Sequence, residues 1–142
     1  MLNLLTSNPL QFLMLVVAML FSLAFHEFSH AWAATSLGDE TAKRNGRLTI
    51  NPLAHLDMFG LLLFFLIGFG WGKPVPFDPD NMKSRRWGSL LVGLAGPGAN
   101  FVLAITFAII LKIILASTDV GFDNLAIQFF SDVVIINSLW GV

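Results

Sequence analysis

The chain has 142 residues and a net charge of −1, and only 12% of its residues are charged, about half the ~25% of ordinary soluble domains. Hydrophobic residues make up 56%, and mean hydropathy is +0.75. This balance points to one membrane-embedded domain, or part of one. It offers no basic surface for a nucleic acid, and the lack of cysteine excludes disulfides, thiolate catalysis and thiolate metal ligands within these residues.

Residues 1–10 contain no Lys or Arg, so they do not read as a signal peptide. Asn8-Pro9 reads as a helix start, with Asn8 as N-cap and Pro9 in the first turn. From Pro9 to Phe25 the only polar residues are Gln11 and Ser22. The helix is predicted over 9–37, with Gly38 as its stop. At 1.5 Å per residue it is roughly 43 Å long, enough to cross a hydrocarbon core of about 30 Å.

Near the end of this span lies His26-Glu27-Phe28-Ser29-His30. Positions i and i+4 share a helix face, so His26 and His30 can both address one metal ion, with Glu27 beside them as a general base. Neutral imidazoles suit zinc, and a zinc-supported Glu is the arrangement of a metalloprotease. Chance matches to this five-residue pattern occur in soluble chains. Three ionisable residues in a polar-depleted membrane helix are costly, and this argues for a function.

Beyond Gly38 the chain turns polar, with Lys43, Arg44 and Arg47. Gly46-Arg-Leu-Thr-Ile50 reads as a short strand or hairpin arm near the site, closed by Asn51-Pro52. The apolar run 58–71 has only 14 residues and reads as a re-entrant segment. Asp57 before it reads as a helix cap or a site residue. Gly72-Lys-Pro-Val-Pro-Phe-Asp-Pro79 is a Pro-rich loop. A second span is predicted over 87–116, with Gly96-Pro-Gly-Ala-Asn100 near its start, and a third over 125–142. The expected fold is an all-α membrane protein of about three transmembrane helices. Seven of the eight basic residues fall between the first two spans, so that side is expected to be cytoplasmic, with the His-Glu cluster near it.

Four segments together resemble the site-2 proteases, intramembrane zinc metallopeptidases. Phe25-His-Glu-Phe-Ser-His-Ala-Trp32 looks like the family's HExxH helix. Asn51-Pro-Leu-Ala-His-Leu-Asp57 and Gly72-Lys-Pro-Val-Pro76 are similar to segments of a bacterial and archaeal branch. Leu94-Ala-Gly-Pro-Gly-Ala-Asn100 resembles its Gly-x-x-x-Asn element. The resemblance implies an integral protein of a prokaryotic cell membrane that cuts transmembrane segments of other proteins. It implies Zn2+ held by His26 and His30, with Glu27 catalytic. His55, Gly96 and Asn100 are implied to lie near the substrate. It also implies a third ligand, an Asp in a later Asn-x-x-Pro-x-x-Pro-x-Asp-Gly motif. Asn137-Ser-Leu-Trp-Gly-Val142 looks like the lead-in to that motif, so the Asp is expected beyond residue 142. Two other readings compete: a catalytically incomplete fragment or pseudoprotease that binds membrane partners, and a metal transporter using the His pair. The sequence gives no handle on oligomeric state.

Overall fold

A computed structural model describes residues 2–67, 70–118, 121 and 124–140. The short α1 (Leu2–Ser7) leads into α2 (Pro9–Ser36). The side chain of Asn8 caps α2 by accepting from the Gln11 amide at 3.1 Å, and Pro9 occupies the first turn, where no donor is needed. At the other end Gly38 takes φ +109. The Gly38 amide bonds the Thr35 carbonyl and the Asp39 amide bonds the Ala34 carbonyl, which satisfies the last orphan acceptors of the helix. The helix expected over 9–37 is therefore present, one residue shorter, as Pro9–Ser36.

Among the described residues two helices are long and apolar enough to cross a bilayer: α2 and the later Arg85–Ser117. Between them lie α3 (Thr41–Arg44), a 3-10 turn at Pro52–His55, α4 (Met58–Ile67), a second 3-10 turn at Pro79–Asn81, and then α5 (Arg85–Ser117) itself. The last helix is α6 (Leu125–Trp140). It spans most of the expected third span over 125–142, whose last two residues lie outside the described ones. At sixteen residues α6 is roughly 24 Å long, shorter than the hydrocarbon core.

The core is a three-helix packing of α2, α5 and α6. Phe107 of α5 joins the three helices: its ring lies 5.7 Å from that of Phe21 and 5.3 Å from that of Phe130. A buried polar contact, Asn137 Nδ2 to Ser22 Oγ at 2.7 Å, ties α6 to α2 at mid-height. Such bonds, with close packing, hold helices together where lipid is as apolar as the side chains. The outward face of α5 is apolar: Phe101, Val102, Ile105, Ile109 and Ile113 are all exposed. A stripe of that kind requires lipid or a partner to cover it.

The expected strand over 46–50 does not form. Among the described residues the structure contains no β-ladder, only an isolated bridge between Leu56 and Gly72. Gly46 ends α3 instead of opening a strand. It takes φ +66, its amide bonds the Lys43 carbonyl, and the Arg47 amide bonds the Ala42 carbonyl. The next acceptor, the Thr49 carbonyl, is taken by the His55 ring at 2.8 Å. Side chains thus satisfy backbone that a strand would have left for a neighbour.

Leu56 and Gly72 lie side by side, joined by an isolated bridge, while residues 68 and 69 of the apolar run 58–71 lie outside the described ones. Asp57 caps α4 by accepting from the Gly60 amide at 2.8 Å. Ten residues give α4 a length of roughly 15 Å, half a hydrocarbon core. The chain then comes back along it: a Cβ on Gly60 would collide with the Trp71 backbone, and the Lys73 amide bonds the His55 carbonyl at 2.8 Å. Glycine at 60 is what allows that close approach.

Asp39 fastens the Pro-rich loop to the end of α2. The buried carboxylate accepts from the Thr41 amide at 3.0 Å, Thr41 Oγ1 at 2.5 Å, Asn81 Nδ2 at 3.0 Å and the Asp78 amide at 2.6 Å. Burial pushes its carboxyl up, but the donated bonds outweigh burial and hold it below the usual carboxylate range. A lowered native value means the stabilisation is complete above the ordinary Asp value of about 3.9 and lost as pH falls through the native value. Thermal melting between about pH 3 and 6 is expected to show an acid loss that shrinks in Asp39→Asn, which is also less stable at neutral pH. An unchanged acid slope in the variant would assign the loss to other carboxylates.

Candidate metal and proteolytic site

The two imidazoles on α2 converge. His26 Nε2 and His30 Nε2 are 3.0 Å apart, as the i, i+4 spacing on a helix predicts. Each ring is also gripped from behind by α5. His30 Nδ1 lies 2.6 Å from the Val92 carbonyl, and His26 Nδ1 lies 3.0 Å from Asn100 Nδ2. These two contacts reach across 62 and 74 residues of sequence.

Gly96 sits between them on α5. A Cβ there would run into His30 Nε2 and stand 2.6 Å from His26 Nε2. The volume that a side chain at 96 would fill is therefore the volume beside the two Nε2 atoms. Zinc binds imidazole at about 2.0–2.1 Å, and tetrahedral ligands at that distance lie roughly 3.3 Å from each other. The observed separation is within a few tenths of an ångström of this, and His30 Nδ1 already has, in the Val92 carbonyl, the kind of outer acceptor that metal-bound imidazoles use. The pair fits zinc as part of a ligand shell. Among the described residues no group of three or more His, Cys, Asp or Glu is placed to complete one.

Glu27 is enclosed next to the pair, with 8% of its surface exposed. It borders two clefts. One, of about 190 Å³, is lined by Glu27, His30, Pro74, Val75, Val92 and Gly93 among others. The second, of about 330 Å³, is bordered by His26, Glu27, Gly70, Trp71, Gly72 and Leu139. Leu139 brings the end of α6 to the His-Glu cluster. The Val75 backbone amide faces the Glu27 carboxylate. A carboxylate beside a pair of imidazoles and reachable from two clefts can accept a proton from water and give it up again.

Pro97 adds an acceptor. A proline inside a helix has no N–H for the carbonyl four residues earlier, here that of Gly93. Gly93 borders the same cleft as Glu27 and His30.

Of the three residues expected near the substrate, two are placed behind the pair. Gly96 and Asn100 back the imidazoles, and Asn100 is fully enclosed. His55 is also fully enclosed, held through Nε2 by Thr49, and does not join the His26–His30 pair. Asp57 caps α4.

Sequence reading passed over Arg47. It is buried, and its guanidinium donates to the Ala54, Lys73 and Pro74 carbonyls, so it pins the Pro-rich loop beside Glu27. A planar fork with five donors is suited to gathering several carbonyls. Nothing in the sequence separates Arg47 from exposed Lys43 and Arg44, since the three form one basic cluster.

Comparison with known proteins agrees with this chemistry. Residues 14–139 match the family described as Peptidase family M50. The "Putative zinc metalloprotease YwhC" of Bacillus subtilis is 40% identical over 124 residues, which cover 82% of this chain and 55% of that one. The "Putative zinc metalloprotease Rip2" of Mycolicibacterium smegmatis is 38% identical over 100 residues, 66% of this chain and 38% of its own. Its namesake in Mycobacterium tuberculosis is 34% identical over 118 residues, 79% and 42% respectively. The chain spans about half the length, or less, of these curated relatives. No solved structure matches it. His26, Glu27, His30, Gly96 and Asn100 all fall inside the matched region, and the chain belongs to peptidase family M50, the site-2 proteases.

Proposed function

We propose that this protein is an intramembrane zinc endopeptidase that cuts membrane-spanning segments of other proteins. The observation that carries the reading is the convergence of two imidazole Nε2 atoms at 3.0 Å, beside an enclosed Glu27, on a helix long enough to cross a bilayer. His26 and His30 would hold zinc through Nε2, and the family resemblance supplies the expectation of a later Asp as third ligand. Zinc in that position would act as a Lewis acid on the scissile carbonyl and on water. Glu27 accepts the proton of the attacking water and delivers it to the leaving amine as the C–N bond breaks.

A helical substrate hides its carbonyls in its own hydrogen bonds and has to unwind before it can be cut. Backbone acceptors at the site favour the unwound form by strand-like pairing. In this reading the freed Gly93 carbonyl bonds a substrate N–H. Gly96 and Asn100 build the site from behind. The basic loops lie on the cytoplasmic side, α2 runs inward, 58–71 enters and leaves the membrane on that side, and α6 is the third span.

A second reading is favoured by one observation: among the described residues no third metal-ligating side chain joins the pair. On that reading these residues bind membrane partners without cleaving them. One experiment separates the two. The purified protein, expressed from its complete gene and reconstituted with a transmembrane reporter, is assayed for cleavage and for zinc in wild type and in Glu27→Gln. Cleavage by the wild type alone supports the protease; no cleavage by either supports the partner-binding reading.

A further inference from the structure

Asn100 is fully enclosed on α5, and its Nδ2 donates to His26 Nδ1 at 3.0 Å. Its Oδ1 is buried without a partner. A neutral imidazole carries a single proton. His30 spends its proton on the Val92 carbonyl through Nδ1, so His30 Nε2 is a bare acceptor. The facing His26 Nε2, 3.0 Å away, then carries the hydrogen between the rings. The contacts form one directed chain: Asn100 Nδ2–H to His26 Nδ1, His26 Nε2–H to His30 Nε2, His30 Nδ1–H to the Val92 carbonyl. In this arrangement the pair satisfies itself, and the proton of His26 sits on the atom that would ligate.

A metal requires a lone pair on both Nε2 atoms. His26, neutral throughout, must then carry its proton on Nδ1, and the group facing Nδ1 must accept. Turning the Asn100 amide by 180° puts Oδ1 where Nδ2 stood. The orphaned Oδ1 is the acceptor that the change demands, and the turn gives it a donor. His30 needs no such change, because Val92 holds it in the ligating tautomer already. We propose that Asn100 is the positioning residue of His26: its amide changes from donor to acceptor as metal enters, and so selects the tautomer in which His26 ligates. This rests on the reading of His26 and His30 as metal ligands. It differs from a role in bonding an extended substrate, for which a fully enclosed amide is badly placed.

The test is the affinity of the purified protein for Zn2+, measured by competition with a chromophoric chelator, in wild type, Asn100→Ala, Asn100→Asp and His26→Ala. Loss of the outer partner is expected to weaken zinc by about 10–100-fold in Asn100→Ala. Asn100→Asp, which offers an acceptor on both atoms, is expected to recover most of that loss. A residue that merely glued α5 to α2 would show no such recovery. Nitrogen-15 spectra of the zinc-loaded wild type should show His26 protonated at Nδ1. Affinity in Asn100→Ala within about twofold of wild type, with His26→Ala much weaker, would overturn the inference and leave the metal pair standing. Unchanged affinity in His26→Ala would sink the metal reading itself.

Discussion

Replacing Glu27 with Gln is expected to lower cleavage of a transmembrane reporter by about 10²–10⁴-fold, the range a positioned general base contributes, while zinc content stays at the wild-type level. The two parts of this expectation have separate causes. Gln keeps the size of Glu, so the packing between the two clefts is preserved around a side chain that is 8% exposed. It cannot take a proton from water. Glu27 is not one of the converging nitrogens, so its charge is not needed to hold the metal. Cleavage retained in the variant would remove Glu27 from its role. Zinc lost together with cleavage would make Glu27 a ligand or a support for one.

Gly96→Ala is expected to abolish both zinc binding and cleavage, with affinity falling by more than the ~100-fold reached by losing outer-shell partners. The added methyl would stand beside His26 Nε2 and His30 Nε2, where the metal has to be. Helix α5 itself should tolerate the change, because Ala has the better helix propensity by about 1 kcal/mol. Far-ultraviolet circular dichroism of the metal-free protein should therefore match wild type, while its melting temperature falls because the imidazoles must shift away from Val92 and Asn100 to clear the methyl. Gly98 is the internal control: a Cβ there meets nothing within 4 Å, and Gly98→Ala should bind zinc normally. Equal zinc affinity in Gly96→Ala and wild type would show that α5 stands off from the pair.

The parts of this structure that could be read from sequence are those fixed by local rules. The four-residue spacing of His26 and His30 on an apolar helix placed two nitrogens together. Asn8-Pro9 and Gly38 marked the ends of α2, and Asp57 marked the start of α4. The parts that could not be read depend on what lies across the fold. His30 finds Val92, and His26 finds Asn100, only once α5 packs on α2. The glycine at 96 was legible as a place of close approach. What approaches it was not: the two imidazoles of α2 lie against that position. The 46–50 strand failed because Gly46 has two local meanings. A glycine with alternating apolar neighbours can open a strand, or it can stop a helix with a positive φ, and the preceding Thr41–Arg44 turn decided for the second. Arg47 was read as one more basic residue of a cytoplasmic loop; its burial under three carbonyls is a tertiary fact.

On the proposed function, His26 and His30 share one zinc ion within the membrane helix. X-ray absorption at the zinc edge measures this most directly, on the purified protein in wild type and in His26→Ala and His30→Ala. Two imidazole nitrogens at about 2.0–2.1 Å are expected in the wild type, the remaining ligands being oxygen, with loss of one imidazole or of the metal in each variant. A zinc shell without imidazole in the wild type, or one that neither substitution alters, would contradict it.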